Sequence, residues 1–212
     1  MRYAPPRTIE VAMVMDGIYY AVAFTAGGAA VWYLTRPGFA IPLFVLALFC
    51  LYFFRDPERV IPDGPVAVSP ADGKVVVVRD DRAPAQISIF LNIFDVHVNR
   101  APIAGKICKV EYTRGKFLVA SREVASSENE RNTVTIHGNG TNVAFAQIAG
   151  LIARRIVFWK KTGDDVAKGE RVGLIKFGSR VDIFLGAEWE ITVQPGEHVS
   201  GGSSVLARRR QV

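Results

Sequence analysis

Two long apolar stretches near the start of the chain set this region apart from everything that follows. The first runs from 11 to 34 and is interrupted only by Asp16; the second runs from 39 to 54, after the turn signal Arg36-Pro37-Gly38. The first stretch is long enough to cross a bilayer as a helix, and the second is somewhat short. The pattern predicts an N-terminal membrane hairpin in residues 1–58, with a helical hairpin buried in a globular core as the alternative.

Basic residues are distributed unevenly around this hairpin. Arg2 and Arg7 precede it, Arg55 and Arg59 follow it, and only Arg36 lies at its tip. By the positive-inside rule, both ends of the hairpin face the cytoplasm. The sequence therefore predicts a protein of the cell membrane whose C-terminal domain faces the cytoplasm.

From residue 59 onward, the pattern changes to short strands separated by Gly, Asn and Asp turns. Residues 86–99 alternate, with Ile87, Ile89, Leu91 and Ile93 on one face. Residues 133–137 and 141–147 flank a Gly-Asn-Gly turn, which predicts a β-hairpin. No convincing amphipathic helix follows residue 60. We expect a β-rich domain over residues 59–212.

A weak internal repeat occupies the C-terminal third of the chain. Its members recur at a spacing of 33 residues: Gly163, Val166, Gly169 and Val172, then Gly196, Val199, Gly202 and Val205. Each copy reads as a glycine turn, a short strand, a second glycine turn and another strand, which resembles the barrel-sandwich folds of lipoyl and biotinyl domains. The predicted fold is mainly β and barrel-sandwich-like, with an N-terminal hydrophobic helical hairpin.

Composition narrows the possible partners. Half of the residues are apolar and the formal net charge is +6, which suits an anionic surface such as lipid head groups. No groove-reading motif is present, so nucleic acid is not an expected partner. Two cysteines in unrelated contexts, Cys50 and Cys108, form neither a disulfide framework nor a metal set, and three histidines argue against a zinc site.

The Gly178-Ser179 step lies between two strand-like runs and is a candidate for self-cleavage. At a strained bend the serine hydroxyl can attack the preceding carbonyl, because glycine has no side chain to block the approach. The resulting ester can break by β-elimination to dehydroalanine, which hydrolyses to a pyruvoyl group and ammonia. Gly-Ser is also a common turn dipeptide, and on spacing alone the ordinary turn is favoured.

Asp72 lies in a Pro-x-Asp-Gly sequence, which by itself favours a hairpin corner. The functional alternative is a carboxylate that orients an imidazole. His97 is a candidate for that imidazole: if the strand stays regular, Asp95, His97 and Asn99 continue the apolar face of 87–93. Buried polar groups need partners, so this pattern indicates either the mouth of a pocket or a histidine satisfied at a strand end. Serine, histidine and aspartate together are what self-cleavage needs.

The other two histidines are weaker candidates. His137 lies beside a glycine turn and His198 lies in the second copy of the repeat. Both are expected at the surface.

Four motifs together resemble the phosphatidylserine decarboxylase family, in its short membrane-hairpin branch. In chain order they are Ser-Pro-Ala-Asp72-Gly-Lys-Val, Phe-Asp-Val-His97-Val-Asn-Arg-Ala-Pro, Asn129-Glu130-Arg131 and Phe-Gly178-Ser179-Arg-Val-Asp. The hairpin ending in Phe-Phe-Arg-Asp-Pro-Glu-Arg fits as well, so the resemblance covers nearly the whole chain. The joint pattern is specific, whereas each motif alone is weak.

The resemblance implies an enzyme that converts phosphatidylserine to phosphatidylethanolamine with a covalent pyruvoyl cofactor derived from Ser179. It implies autocatalytic cleavage between Gly178 and Ser179, assisted by Asp72 and His97, with the large and small chains remaining associated. The implied partners are an anionic phospholipid substrate and the membrane. Larger family members carry a second histidine three places after the first, where this chain has Arg100, so His97 is a candidate for cleavage, decarboxylation or both.

Arg131, in the third motif, is a candidate to bind substrate phosphate or carboxylate; a structural ion pair with Glu130 is the favoured alternative.

A competing class for the whole chain is a membrane-tethered barrel-sandwich adaptor or carrier, although Gly178-Ser179 stands where a carrier lysine belongs and Lys176 precedes it. A membrane serine hydrolase would need a Gly-x-Ser-x-Gly elbow, which is missing at Ser179. A homo-oligomer remains open.

Overall fold

The computed structural model describes residues 14–81, 83–120, 124–151, 155–176 and 179–210. Contacts group the chain into two compact units, Met1–Glu58 and Arg59–Val212.

The N-terminal unit is a helical hairpin. Helix α1 spans Met15–Leu34 and α2 spans Ile41–Phe53, joined by a 3-10 turn at Pro37–Phe39. By length and composition, α1 is apolar enough to cross a membrane, whereas α2 is a shorter apolar helix. The predicted hairpin of two apolar helices is therefore present.

Small residues let the two helices approach closely. A Cβ added at Gly28 would lie 2.8 Å from the ring of Phe44, and Ala21 is buried against the second helix in a cluster with Ala47 and Cys50. Several large side chains of α1 instead point outward: Tyr19, Val22, Trp32, Tyr33 and Leu34 are exposed. Small residues inside and large apolar residues outside are typical of helices that pack in lipid, and they do not fit a hairpin buried in a globular core.

The second unit is built almost entirely of strands. The fourteen described strands, in chain order, are β1 Val66–Val68, β2 Gly73–Arg79, β3 Ala85–Leu91, β4 Val98–Arg100, β5 Gly105–Thr113, β6 Arg131–Gly138, β7 Thr141–Ile148, β8 Arg155–Phe158, β9 Asp165–Val166, β10 Arg171–Lys176, β11 Ser179–Leu185, β12 Trp189–Ile191, β13 His198–Val199 and β14 Val205–Arg209. The one helix described after residue 60 is the single turn α3, Ala125–Glu128. The predicted fold class, mainly β with an N-terminal hydrophobic helical hairpin, is confirmed.

A curled eight-stranded antiparallel sheet forms the centre of this unit, in the order β13-β2-β3-β11-β7-β6-β5-β9. Two three-stranded sheets, β1-β14-β12 and β4-β10-β8, complete it. Inward-facing residues of all three sheets, including Val75, Phe145, Ile175, Val181 and Leu206, share one hydrophobic core. Strand β11 is therefore central both in the sheet and in the core.

The internal repeat is visible in the structure. All four of its glycines have positive φ angles, from +76° at Gly169 to +100° at Gly196. The two-residue strands of the copies, β9 and β13, pair at the two opposite edges of the large sheet, and β10 and β14 are the middle strands of the two small sheets. The weak sequence repeat thus corresponds to an approximate twofold arrangement of strands.

This arrangement extends the repeat to segments that the sequence pattern did not reveal. Residues 69–75 and 101–107 each lead from a small sheet into the large one through a glycine, Gly73 or Gly105, with a large positive φ. Their partners correspond as well, because the Gly196 N–H donates to the Val75 carbonyl and the Gly163 N–H donates to the Ile107 carbonyl, both at 2.8 Å. The repeat therefore relates two halves of the whole β unit.

Local turn chemistry explains one predicted connection. Strands β6 and β7 are joined by the two-residue turn Asn139–Gly140, in which both residues have positive φ angles of 51° and 73°. Such turns match the right-handed twist of the flanking strands. The predicted hairpin is confirmed.

The prediction of one regular strand from 86 to 99 is wrong at its centre. Strand β3 ends at Leu91, and a turn follows in which the Asn92 N–H donates to Asp95 Oδ2 (2.8 Å) and the Phe94 N–H donates to Asn92 Oδ1 (2.7 Å). The turn exposes Ile93, which was expected on the apolar face. Asn and Asp side chains that bond nearby backbone groups compete with strand pairing, which is the physical reason for the break.

Candidate active site

Ser179 is the first residue of β11 and pairs with Leu91 at the end of β3. It shares a sheet face with Val181 and Ile183, so its side chain points toward the core and is fully buried. Its Oγ has no hydrogen-bond partner within the described part of the chain. A buried hydroxyl without a partner is costly and uncommon, so this atom calls for an explanation. Gly178, the other side of the predicted cleavage bond, lies outside the described residues.

His97 is buried just before β4. Its carbonyl accepts a hydrogen bond from the Ile175 N–H (3.3 Å), and its Nδ1 lies 2.9 Å from the Asp95 carbonyl oxygen. A carbonyl oxygen only accepts, so Nδ1 carries the proton in this contact, and a neutral His97 offers Nε2 as its basic nitrogen.

The loop that carries His97 is tied at both ends to the strands on either side of the predicted cleavage bond. Leu91, before the loop, pairs with Ser179, and His97, at its end, bonds to Ile175 of β10. The structure thus joins the loop that carries His97 to the end of β10 and to the start of β11.

Asp72 lies in the turn between β1 and β2, at the same end of the large sheet as Ser179. The Arg100 N–H donates to the Pro70 carbonyl at 2.9 Å, so the turn that carries Asp72 is bonded to the strand that follows His97. The Asp72 carboxylate has two partners: Oδ1 accepts from the Gly201 N–H and Oδ2 from Arg59 Nη2, each at 2.7 Å. Within the described contacts, the Asp95 carbonyl, and not Asp72, orients the imidazole.

Burial raises the pKa of Asp72 above its ordinary value. The Gly201 N–H and the Arg59 guanidinium oppose this rise, and the nearby Asp95 carboxylate adds to it. The charge of the Asp72 carboxyl group therefore depends on its burial and on Gly201, Arg59 and Asp95 around it.

Because of the twofold repeat, the turn that contains Asp72 can be compared with an equivalent turn in the other half of the β unit. In the corresponding turn of the other half, Ala104 precedes Gly105, and the turn forms without a carboxylate. The geometry of this turn therefore does not require an aspartate, which favours a role for Asp72 in the site.

Arg131 is not brought to Ser179. It pairs with Ile148, which pairs with Arg180, so these three residues share one face of the sheet, whereas Ser179 points to the other. The Arg131 side chain lines a cavity of about 620 Å³ together with Arg79, Gln86, Ser126, Ser127, Thr133, Ala146, Asp182, Phe184 and Val124. Its Nη1 donates to the carbonyls of Ser126 (3.0 Å) and Ser127 (2.9 Å).

The rest of the Asn129-Glu130-Arg131 motif has a structural explanation. The Asn129 amide donates to the carbonyls of Leu118 (2.9 Å) and Ala149 (2.7 Å), and so it joins two loops beside the site. Glu130 accepts a hydrogen bond from Tyr112, and burial together with this carboxylate raises the Tyr112 pKa to about 12. Within the described part of the chain, no ion pair joins Glu130 to Arg131.

Sequence reasoning missed a buried chain of amide side chains on the Ser179 face. Gln147 Nε2 donates to Asn99 Oδ1 (2.9 Å), and Asn132 Nδ2 donates to Gln147 Oε1 (3.0 Å). Gln147 pairs with Val181, one step along the strand face from Ser179. A polar residue at an inward position of an alternating strand, as at Asn132 and Gln147, was the available signal.

A second buried network lies on the opposite face. Arg180 pairs with Asp182 (2.7 Å) and donates to Ser88 Oγ (2.6 Å), while Gln86 donates to the other Asp182 oxygen (2.9 Å). These residues flank the Arg131 cavity and fix the strand that begins at Ser179.

The structure gives the environment of Arg100, of Lys176 and of the two remaining histidines. Arg100, where larger relatives have a second histidine, is buried and donates to the Gly169 carbonyl (3.1 Å) in a turn of the repeat. Lys176 is also buried, which does not suit the exposed lysine of a carrier domain. His137 and His198 are exposed, as predicted.

The family model for phosphatidylserine decarboxylase matches residues 46–207. A phosphatidylserine decarboxylase proenzyme from Solibacter usitatus is 66% identical over 197 residues, covering 93% of this chain and 97% of that protein. One from Desulfotalea psychrophila is 48% identical over 176 residues, covering 78% and 82%. With a match of this extent, and with the family's motifs gathered at one end of a sheet, the chain belongs to the phosphatidylserine decarboxylase family.

Proposed function

We propose that this protein is a proenzyme that cuts itself between Gly178 and Ser179 and then decarboxylates phosphatidylserine to phosphatidylethanolamine. The observation that carries the proposal is the Ser179 hydroxyl, which is buried without a hydrogen-bond partner in the described structure and lies at the start of a strand. A serine in an ordinary turn would be solvated or bonded.

Self-cleavage begins when Ser179 Oγ attacks the Gly178 carbonyl carbon and gives up its proton, for which Nε2 of His97 is the candidate acceptor. The C–N bond breaks, the amine of residue 179 takes up a proton, and an ester forms. Loss of the Ser179 Cα proton then expels the Gly178 carboxylate and leaves dehydroalanine. Addition of water and loss of ammonia complete the pyruvoyl end of the small chain.

The pyruvoyl group supplies a carbonyl that accepts the electrons released as carbon dioxide leaves the substrate. The site around Ser179 fits such a group, because the Ser179 hydroxyl is buried without a partner among the described residues and the buried Asn99–Gln147–Asn132 amides lie on the same side of the sheet. His97 is the candidate to return a proton to the substrate carbon. Asp72, with its raised pKa, is the candidate to tune the charge around His97.

Arg131 remains a candidate for the substrate phosphate. Its cavity also contains Arg79, and two guanidinium groups suit a phosphate. Its position on the face of the sheet away from Ser179 counts against this role, because the phosphate of phosphatidylserine is joined to the reacting carbon through a single CH2–O unit. We further propose that the helical hairpin anchors the protein in the cell membrane with the β unit on the cytoplasmic side.

The test is the intact mass of the purified protein with and without Ser179→Ala. We expect the unaltered chain to yield a fragment of residues 179–212 that is lighter by one ammonia than the same peptide with an N-terminal serine. Ser179→Ala should stay as one chain without decarboxylase activity, since it lacks the attacking oxygen.

Ser203→Ala is the matched control, because Gly202-Ser203 is another Gly-Ser step in the chain. This variant should be cleaved at residue 178 and remain active. Cleavage of Ser179→Ala after Gly178, or activity of that variant, would overturn the proposal.

A further inference from the structure

Several loops of the β unit leave the large sheet at the end where Ser179 lies. Ser179 pairs with Leu91, Arg180 with Ile148, and Arg131 with both Ile148 and Thr113. The loops that follow β3, β5 and β7 therefore emerge side by side around the start of β11.

These loops carry large apolar side chains in exposed positions. Phe94 is 61% exposed and Leu151 is 56% exposed. Three more exposed apolar residues lie on the same loops: Ile93, Val119 and Val124. We call these five residues the apolar rim. A cluster of this kind around one end of a sheet is unusual for a surface in contact only with water.

The opposite end of the same strands is different. Its loops, 80–84, 139–140 and 186–188, consist of small and polar residues, and none of their described members is an exposed large apolar residue. The apolar rim is thus a property of the Ser179 end and not of the loops in general.

Charge is consistent with an anionic partner at the apolar rim. Arg114 and Arg155 are exposed on or next to the same loops. Two acidic side chains described on these loops have partners, since Glu128 pairs with Lys116 (2.8 Å) and Asp95 accepts from the Asn92 N–H.

We infer that the apolar rim is a second membrane contact, through which the β unit docks on an anionic phospholipid bilayer independently of the helical hairpin. The inference rests on the proposed function, because a lipid head group can reach Ser179 without leaving the bilayer only if this end of the sheet meets the membrane surface. Phe94 and Leu151 enter the interfacial region, and the basic residues lie at the level of the phosphates.

The experiment places a fluorophore on the full-length chain. Cys50→Ala and Cys108→Ala remove the native thiols, and Phe94→Cys, Leu151→Cys or Ala187→Cys then provides one labelling site for an environment-sensitive NBD group. Ala187 is the control, since it is exposed in a loop at the opposite end of the sheet. Each labelled protein is reconstituted in phosphatidylcholine–phosphatidylglycerol vesicles with or without brominated acyl chains, so that turnover does not affect the signal.

We expect brominated lipid to quench the label at positions 94 and 151 at least twofold more than at 187. Equal quenching at all three positions would overturn the inference. A blue shift at 94 and 151 without quenching by brominated lipid would also overturn it, because a second copy of the chain would then cover the apolar rim.

The mass of the same samples separates this inference from the proposed function. Cleaved protein with unquenched labels refutes the membrane contact alone. Quenched labels on a chain that never cleaves refute the proposed enzyme and leave a membrane contact that does not serve catalysis.

Discussion

At the scale of single residues, Asp72 shows how a common turn residue acquires an unusual environment. Its carboxylate is largely buried between Arg59 and the Gly201 N–H, and burial raises its pKa. Because its pKa is raised, Asp72 binds a proton more tightly in the folded state than in the unfolded state. Asp72 therefore adds to the free energy of unfolding at low pH, and this contribution is lost as pH rises through its folded-state pKa. A salt-bridged carboxylate with a lowered pKa would have the opposite dependence.

We predict that the rate of self-cleavage falls at acidic pH as Asp72 takes up a proton. Arg59→Gln should move this acidic limb to higher pH, because the Arg59 charge holds the Asp72 pKa down. The measurement is the initial rate of small-chain formation against pH. Lys109→Gln, which removes an exposed pair with Glu111, is the control and should leave the limb in place. An acidic limb that Arg59→Gln does not move would show that Asp72 does not set it.

At the scale of elements, the glycine turns of the repeat hold short strands at both edges of the sheet. Gly163 and Gly169 both have positive φ angles, so a side chain at either position strains the backbone. Only Gly169 is also crowded, since an added Cβ would lie 2.3 Å from Ile61 Cδ1, whereas nothing lies within 4 Å at Gly163.

We predict that Gly163→Ala lowers the free energy of unfolding by about 1–2 kcal/mol through strain alone. Gly169→Ala should cost more, because Ile61 must move as well. Thermal unfolding in mild detergent compares the two variants. The loss of unfolding free energy that is due to the clash should disappear in the double variant Gly169→Ala with Ile61→Ala. Measured against Ile61→Ala alone, this double variant should lose only the part that is due to backbone strain. If Gly163→Ala is as damaging as Gly169→Ala, the crowding at Ile61 is irrelevant.

At the scale of the whole molecule, the proposed cut falls at the start of a central strand. The small chain, residues 179–212, would contribute β11 between β3 and β7, β13 at one edge of the large sheet and β14 in the middle of a small sheet. It also buries Val181, Ile183 and Leu185 completely, each worth about 1.5–3 kcal/mol.

We therefore predict that the two chains stay together after cleavage and separate only when the β unit unfolds. Size-exclusion chromatography in mild detergent should give one peak that contains both chains. In a urea series, release of the small chain should coincide with loss of the β signal in circular dichroism, and the uncut Ser179→Ala protein should show the same transition without release. Separation of the chains in the absence of denaturant would contradict the strand arrangement.

Features that depend on neighbours along the chain could be predicted well. The two apolar helices, the Asn139–Gly140 hairpin and the strands before and after residues 177–178 all follow from local periodicity and turn chemistry. The regular strand through Ile93 was wrong because Asn92 and Asp95 bond the backbone locally and end β3. The site residues Ser179, His97 and Asp72 were named from motifs, and their roles remain predictions.

The amino-acid order alone was enough to recognise two apolar helices, a β unit with paired glycine turns, and a serine, histidine and aspartate in family motifs, because these features depend on short-range patterns along the chain. The folded chain was needed to show that Arg131 lies on the face away from Ser179, that Arg59 and Gly201 bond to Asp72, and that the exposed apolar loops lie at one end of the sheet. Those facts depend on the register between strands that are distant in sequence. A shift of one residue in that register moves every side chain of the strand to the opposite face of the sheet.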